Sequence, residues 1–549
     1  MGGVSIPTGG VNAAVSTSPA LSLPERTLLR LALDLGALEI GGPLTASEQQ
    51  LVDEVRTTFR TAPATLADVR AAIVDGEDPL GSWLCRVRTP ARRRAQGAFY
   101  TPPALVDPML DWVLSHDLDR LIDPGCGSGR FAAGAVRRRP DLPIVAIDLD
   151  PFATLLTRAT LGVLRARAVV IYQADYTTFD LPDIPGRTAF VGNPPYVRHH
   201  DLSPLAKEWV VRTGKRFGHT VSTLAGLHVY FYLATAARAR PGDVGCFVTS
   251  AEWLDVNYGA TVRHLLLNSL GGQSLHLIDP RAVPFADAMT TAAIVTFEAG
   301  SSPPSMRCQS VASPSDLGDL RTGREVGRGI LERARRWTQV VSQRPSQDGP
   351  ASTVRLRAIA RVHRGTVTGA NEFFILTGQR ARDLGIAAWC RPVVSSAEEI
   401  FQSGGIIRDG PERKLLLDAP PDLDRGAHPR LDAYLRSGEQ TRGNEPPICA
   451  RYICQHRHPW WYLGRASPPP IIASYMARQA PMFALNPDGL AVVNIAHGIY
   501  PTSPIAAEQL AQLATALNTG RDSFRGHGRT YHGGLEKFEP REMEALLIC

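Results

Sequence analysis

Two consecutive prolines constrain this chain more than any other local feature. The apolar run Thr188-Ala189-Phe190-Val191 stops at Gly192-Asn193-Pro194-Pro195. Proline has no backbone N–H and a fixed φ, so a strand formed by that run must end there in a rigid turn. The turn presents the amide of Asn193, the carbonyl of Pro194, which Pro195 helps to fix, and the ring of Tyr196. A planar amino group facing those parts meets two acceptors, and the ring that carries it meets a stacking face. The arrangement suits a nucleobase swung out of its stack. A plain strand terminator followed by a buried tyrosine has the same sequence, so context has to decide.

The context is an alternation of strands and helices from Gln96 onward, the pattern of a parallel sheet with helices on both faces. Strands are expected at Leu121–Ile122, Leu142–Ile147, Ala168–Ile171, Ala189–Val191, Cys246–Thr249, Leu275–Ile278 and Ala292–Phe297. Ligands of such sheets lie beyond the carboxyl ends of the strands. The first strand ends in Asp123-Pro124-Gly125-Cys126-Gly127-Ser128-Gly129, the second in Asp148 and the third at Asp175-Tyr176. Gly125 and Gly127 let the backbone approach a ligand closely. Asp148 is placed to take ribose hydroxyls. Asp175 could bond an adenine amine, with Tyr176 against the purine. The loop lacks the Gly-x-Gly-x-x-Gly placement of dinucleotide sites. Asp123 beside it would repel a pyrophosphate and attract an ammonium. Together these favour S-adenosylmethionine over a nicotinamide cofactor.

Around this region, residues 1–24 lack periodicity and are expected to be disordered. Residues 25–95 show helical periodicity in Leu28, Leu31, Leu35, Leu38, Leu51, Val52, Val55, Leu66, Val69 and Ile73 and carry no catalytic signature. Residues 96–300 hold the sheet, and 301–350 are Ser-, Pro- and Arg-rich and read as a linker with a helix at Ile330–Val341. Residues 351–549 mix short strand-like runs (Phe373–Leu376, Leu415–Leu417, Ile471–Ala473) with prolines and glycines, as in a separate α+β domain.

Positive charge is almost all arginine: the lysines are Lys207, Lys215, Lys414 and Lys537, and the net charge is only +6. That permits phosphate and base-edge contacts without demanding them. Residues 1–206 hold no lysine, and Glu412-Arg413-Lys414 has Asp409 too close upstream, so the common Asp…Glu-x-Lys nuclease core is not expected. Cys449, Cys454, His456 and His458 depart from zinc spacings, and no metal is expected. The chain has no apolar run long enough to span a membrane and no basic-then-apolar leader, which with eight scattered cysteines fits the cytoplasm.

Several segments recur in a known order: Gly97-Ala98-Phe99-Tyr100-Thr101-Pro102-Pro103, Asp123 to Gly129, Asp148-Leu149-Asp150-Pro151, Asp175-Tyr176 and Asn193-Pro194-Pro195-Tyr196-Val197-Arg198. They continue through Gly245–Leu254, Phe285 with Phe297 twelve residues on, Thr368–Phe374 and Tyr531–Lys537. Taken together they resemble the γ-type N6-adenine-specific DNA methyltransferases of restriction-modification systems, over most of residues 96–549. The resemblance implies an α/β fold: a Rossmann-like seven-stranded sheet with helices on both faces, a small N-terminal helical region, and a C-terminal α+β target-recognition domain. It implies S-adenosylmethionine as cofactor, duplex DNA as partner, a monomer, and a cognate restriction endonuclease encoded separately. By the same resemblance Thr101 and Asp123 would hold the methionine end of the cofactor, with Tyr100 nearby. Gly125 and Gly127 would shape its pocket, Asp148 would take the ribose, and Asp175 with Tyr176 the adenine. Asn193 and the Pro194 carbonyl, set by Pro195, would accept the target amine's hydrogens, with the flipped base between Tyr196 and Phe285. Cys126 is expected to be a small packing residue and not a nucleophile.

Overall fold

Ser22 and Thr45 each lie three residues before a glutamate, and both pairs close capping boxes, with Glu25 and Glu48, at the starts of helices α1 (Leu23–Asp34) and α2 (Ala46–Val55). Two further helices, α3 (Pro63–Val74) and α4 (Pro79–Val87), begin at prolines, whose missing N–H costs nothing there. The computed structural model describes residues 21–89, 92–93, 101–182, 185–197, 202–279, 291–342, 354–441, 443, 446–464, 466–524, 528–531 and 535–548. Two compact units divide the chain, Met1–Gln343 and Arg344–Cys549. Among the described residues no helix is long and apolar enough to cross a membrane.

In the first unit the apolar stripes of α1 to α4 (Leu28, Leu31, Val52, Val55, Ile73, Leu80, Leu84) close over Phe152, Leu155, Leu156 and Ala159 of the helix Pro151–Val163. This packing includes an ion pair: Arg158, 1% exposed, donates from Nε to Glu48 Oε1 at 3.1 Å. The other guanidinium N–H groups reach the carbonyls of Ile40, Gly42 and Pro43 at 2.6–3.1 Å. Thr154 Oγ1 also donates to the glutamate at 2.7 Å. Gly41 bridges Val170 on the sheet edge. Its φ of +87°, with a Cβ position only 2.8 Å from Ile171 Cδ1, makes any side chain there strained. The helical region is thus joined to the sheet through the helix Pro151–Val163 and the bridge at Gly41.

Among the described residues that sheet has nine strands: β1 (Arg120–Pro124), β2 (Ile144–Asp148), β3 (Val169–Gln173), β4 (Thr188–Gly192), β5 (Val244–Ser250), β6 (Gly272–Ile278), β7 (Ala292–Glu298), β8 (Ser305–Val311) and β9 (Arg324–Gly327). Their order is β3-β2-β1-β4-β5-β7-β6-β8-β9. The first five are parallel, and β7 runs antiparallel between β5 and β6. Apolar clusters cover both faces. The central strands β1, β4 and β5 are buried along their whole length, as parallel strands between helix layers must be.

Seven strands were expected, and β8 and β9 correct that number within the stretch read as a linker. In β8, Met306, Cys308 and Val311 face inward while Arg307 and Ser310 face solvent. An edge strand half exposed in this way looks polar in sequence. The expected helix at Ile330–Val341 is two short ones, Arg328–Arg333 and Trp337–Val341.

The second unit is α+β. One four-stranded sheet joins Ala360–Arg364, Ala496–Pro501, Ile471–Ser474 and Phe483–Leu485. Another joins Ile375–Leu376, Leu415–Leu417, Cys390–Val394 and Ala491–Val492. The last strand, Leu547–Ile548, pairs with Val354–Arg355, so the unit's two ends are tied together.

The Arg158–Glu48 pair yields a stability prediction. Arg158→Leu strands a buried carboxylate and is expected to cost about 3–5 kcal/mol, read as a lower urea midpoint of unfolding; an unchanged midpoint would contradict the packing described.

Candidate active site

Strand β1 lies between β2 and β4, and the chain crosses from one side of β1 to the other after β3. A crevice opens beyond the strand ends at such a switch point. The residues that follow β1, β2 and β4 therefore converge there because of strand order, whatever their separation in sequence.

The loop after β1 is built on left-handed backbone: Gly125, Gly127 and Gly129 have φ of 75°, 59° and 88°. The N–H groups of Gly125 and Cys126 both reach the Ile147 carbonyl, at 2.7 and 3.0 Å, which ties the loop to the end of β2. Asp148 completes the tie, its Oδ2 accepting from the Gly127 N–H at 2.9 Å and its Oδ1 from the Asp150 N–H at 2.9 Å. Burial, with the charge of Asp150 beside it, pushes the Asp148 carboxyl up to about 6. Asp150 in turn is paired with Arg88 at the end of α4. Cys126 packs with its thiol 3.5 Å from Thr157 Oγ1, and burial drives that thiol well above its usual pKa.

Asp123 is wholly enclosed. Its Oδ2 accepts from the Ala132 N–H at 3.2 Å, while its Oδ1 has no hydrogen-bond partner among the described residues. Burial pushes its pKa up to about 8, which favours the protonated form at neutral pH. A cation lodged nearby would favour the ionised form.

The Asn-Pro-Pro turn after β4 lies against this loop. A Cβ placed on Gly125 would stand 3.7 Å from Pro195 Cδ and 4.0 Å from the Asn193 carbonyl oxygen, ordinary contact distances. Gly192 permits the approach, because a Cβ there would meet the Pro124 carbonyl at 3.1 Å and Asp123 Oδ1 at 3.4 Å. Asn193 is anchored: its Nδ2 donates to Thr101 Oγ1 at 3.1 Å, which turns Oδ1 the other way. Pro194 is buried and Tyr196 half-buried with its hydroxyl enclosed, which raises that phenol well above its usual range.

The remaining expected residues divide. Asp175 forms a turn, Oδ1 accepting from the Thr177 N–H and Oγ1 at 2.9 and 2.6 Å, and its buried Oδ2 has no partner among the described residues. Tyr176 corrects an expectation. It is 2% exposed, its ring lies on Phe231 with Arg238 over it, and its hydroxyl bonds Thr235 at 2.8 Å, so no face is left for a purine. Tyr100 and Phe285 lie outside the described residues.

Sequence reasoning missed Asp78. It caps α4 through Oδ1, bonded to the Gly81 N–H at 2.8 Å. Its Oδ2 accepts from Ser128 Oγ, inside the glycine loop, at 2.6 Å and from Arg130 Nε at 3.2 Å. Asp78-Pro79 is a legible helix start; the second oxygen's partners lie some fifty residues away and leave no local signal.

Comparison with known proteins gives two matching family models. One, described as "Eco57I restriction-modification methylase", covers residues 186–279, and the other, "Type II methyltransferase M.Eco57I, C-terminal domain", covers residues 347–549. The chain is 39% identical over 512 residues to "Type II methyltransferase M.XamI" of Xanthomonas campestris pv. amaranthicola, covering 92% of each chain. It is 23% identical over 475 residues to "Type II methyltransferase M.AccI" of Acinetobacter calcoaceticus, covering 82% of this chain and 85% of that one. The structure of the type IIL restriction-modification enzyme MmeI in complex with DNA shares the fold, with a TM-score of 0.58 at 12% identity over 94% of this chain and 86% of that one.

The buried acid at the end of β1 makes stability depend on pH. A carboxyl whose folded pKa stands at about 8, against about 4 when unfolded, favours folding while protonated and loses that contribution as pH rises between those values. Asp123→Asn is therefore expected to raise the denaturant midpoint of the free protein at pH 8, with a gain that shrinks toward zero near pH 4. A variant less stable than wild type at pH 8 would contradict the burial and charge assigned to Asp123.

Proposed function

From the premise that this chain belongs to the type II DNA methyltransferases of restriction-modification systems, we propose that it transfers a methyl group from S-adenosylmethionine to N6 of an adenine flipped out of duplex DNA. The observation that carries the reading is the contact between the Asn-Pro-Pro turn and the glycine loop, with the Asn193 amide held by Thr101. A turn bearing the acceptors and a loop suited to the cofactor, lying side by side, support direct transfer between the two.

The residues at the strand ends fit the cofactor. Three left-handed glycines open the loop backbone to a ligand, and Asp148, tied to that loop at the end of β2, is the group assigned to the ribose. Asp123 Oδ1 and Asp175 Oδ2 are buried acceptors without partners among the described residues, suited to an ammonium's field and an adenine amine. When bound, the cofactor supplies an electrophilic methyl on a sulfonium. With Tyr176 in the core, adenine recognition falls to Asp175.

Asn193 Oδ1 and the Pro194 carbonyl accept the two hydrogens of the target amine. An aromatic amine is a poor nucleophile because its lone pair is spread into the ring. Two acceptors aimed at its hydrogens favour a pyramidal nitrogen and localise that pair. With a sulfonium methyl bound beside it, that pair would form the new N–C bond as the methyl–sulfur bond broke, and the surplus proton would leave past the acceptors to water. Positioning and fixed dipoles supply the rate. Tyr196, with Phe285 opposite, stacks on the flipped base and offsets part of the few kcal/mol that flipping costs. Residues 351–549 read the DNA site. The working unit is a monomer, and its counterpart is a restriction endonuclease encoded separately.

Labelled S-adenosylmethionine is expected to give label in duplex DNA, and Asn193→Ala to slow transfer at least about a hundredfold while cofactor affinity stays close to wild type. Label in RNA or protein but not DNA would overturn the choice of substrate. A wild-type rate in Asn193→Ala would overturn the role of the amide.

A further inference from the structure

We propose that Asp78, in the helical region that precedes the sheet, is a positioning residue for methyl transfer, holding the catalytic amide and the glycine loop in register through two arms. The assignment rests on the function proposed above.

The first arm is short. Asp78 Oδ2 accepts from Ser128 Oγ at 2.6 Å, and Ser128 is 1% exposed within the glycine loop. The second arm is a relay. Arg130, the first residue of the helix after that loop, gives Asp78 Oδ2 both Nε and Nη2 at 3.2 Å. From its other nitrogen, Nη1, it donates to the Thr101 carbonyl. Thr101, 4% exposed, then accepts Asn193 Nδ2 at Oγ1, 3.1 Å away. One carboxylate, 8% exposed, thus stands behind both halves of the site.

A helix cap alone would explain only Oδ1, which bonds the Gly81 N–H at 2.8 Å. The packing at Gly81 argues for more. A Cβ there would lie 2.2 Å from Asp78 Oδ2 and 2.5 Å from Ser128 Oγ, so the junction admits no side chain. Arginine is also specific to its place. Its planar fork spans from the carboxylate to the Thr101 carbonyl, whereas the point charge of a lysine reaches one or the other. Charge-assisted bonds on a mostly buried carboxylate are strong and directional, the property needed to fix the Thr101 backbone and, through its hydroxyl, the plane of the Asn193 amide. An amide turned out of line by about an ångström costs rate without costing cofactor affinity.

The test uses the full chain and single-turnover transfer of labelled methyl to duplex DNA at saturating cofactor and DNA, below the melting onset of every variant, with cofactor affinity measured separately. Arg130→Lys breaks only the relay and is expected to slow transfer about ten- to a hundredfold with cofactor affinity near wild type. Ser128→Ala breaks only the short arm and is expected to weaken cofactor binding. Asp78→Asn should do both. Should Asp78→Asn fail to fold, the contrast between the other two variants decides. Saturated rates for Arg130→Lys and Asp78→Asn equal to wild type would overturn the proposal. A wild-type chain that methylates no DNA would overturn the underlying function, and this assignment with it.

Discussion

The site depends on the parallel pairing of β1 with β4, in which Ile122 faces Phe190. That register brings two strand ends side by side, one leading into the glycine loop and the other into the Asn-Pro-Pro turn. Glycine at residue 192 eases that approach, since even a Cβ would crowd Pro124 and Asp123. The turn could not hold its shape if residues 194 and 195 were free to rotate. A glycine that removes bulk and two prolines that remove freedom place the amide and the loop in contact.

The rest of the first unit supports that contact at some expense to its own stability. Asp123 and Asp148 both sit where burial disfavours their charge. Groups held against their preferred state are what a binding site needs and what a core avoids. Compensation comes from the helices α1 to α4, with a buried Arg158–Glu48 pair and Arg88 on Asp150. The N-terminal helices are thus part of the wall behind the strand ends, covering the helix Pro151–Val163 and reaching the glycine loop through Asp78.

What the sequence made legible follows from how local each signal is. The ends of β1, β2, β3 and β4 were readable because an apolar run meeting Asp, Gly or Pro is a boundary within a few residues. Strands β5 to β7 were readable as apolar runs. Strand β8 was not, because Arg307, Gln309 and Ser310 interrupt it on its exposed side. Tyr176 looked like a stacking residue from its neighbour Asp175, yet in the turn after β3 the tyrosine packs into the core against Phe231, with its hydroxyl on Thr235. Asp78 was invisible for a different reason: its cap is local, while Ser128 and Arg130 lie on another element. Contacts of that range are set by packing, which no short motif encodes.

The central claim is that the acceptors after β4 receive an adenine amine. The most direct measurement is the identity of the modified nucleoside. Duplex DNA treated with the wild-type protein and S-adenosylmethionine, digested to nucleosides and resolved by mass spectrometry, is expected to contain N6-methyldeoxyadenosine as its one new product. A methylated deoxycytidine in its place would contradict the account.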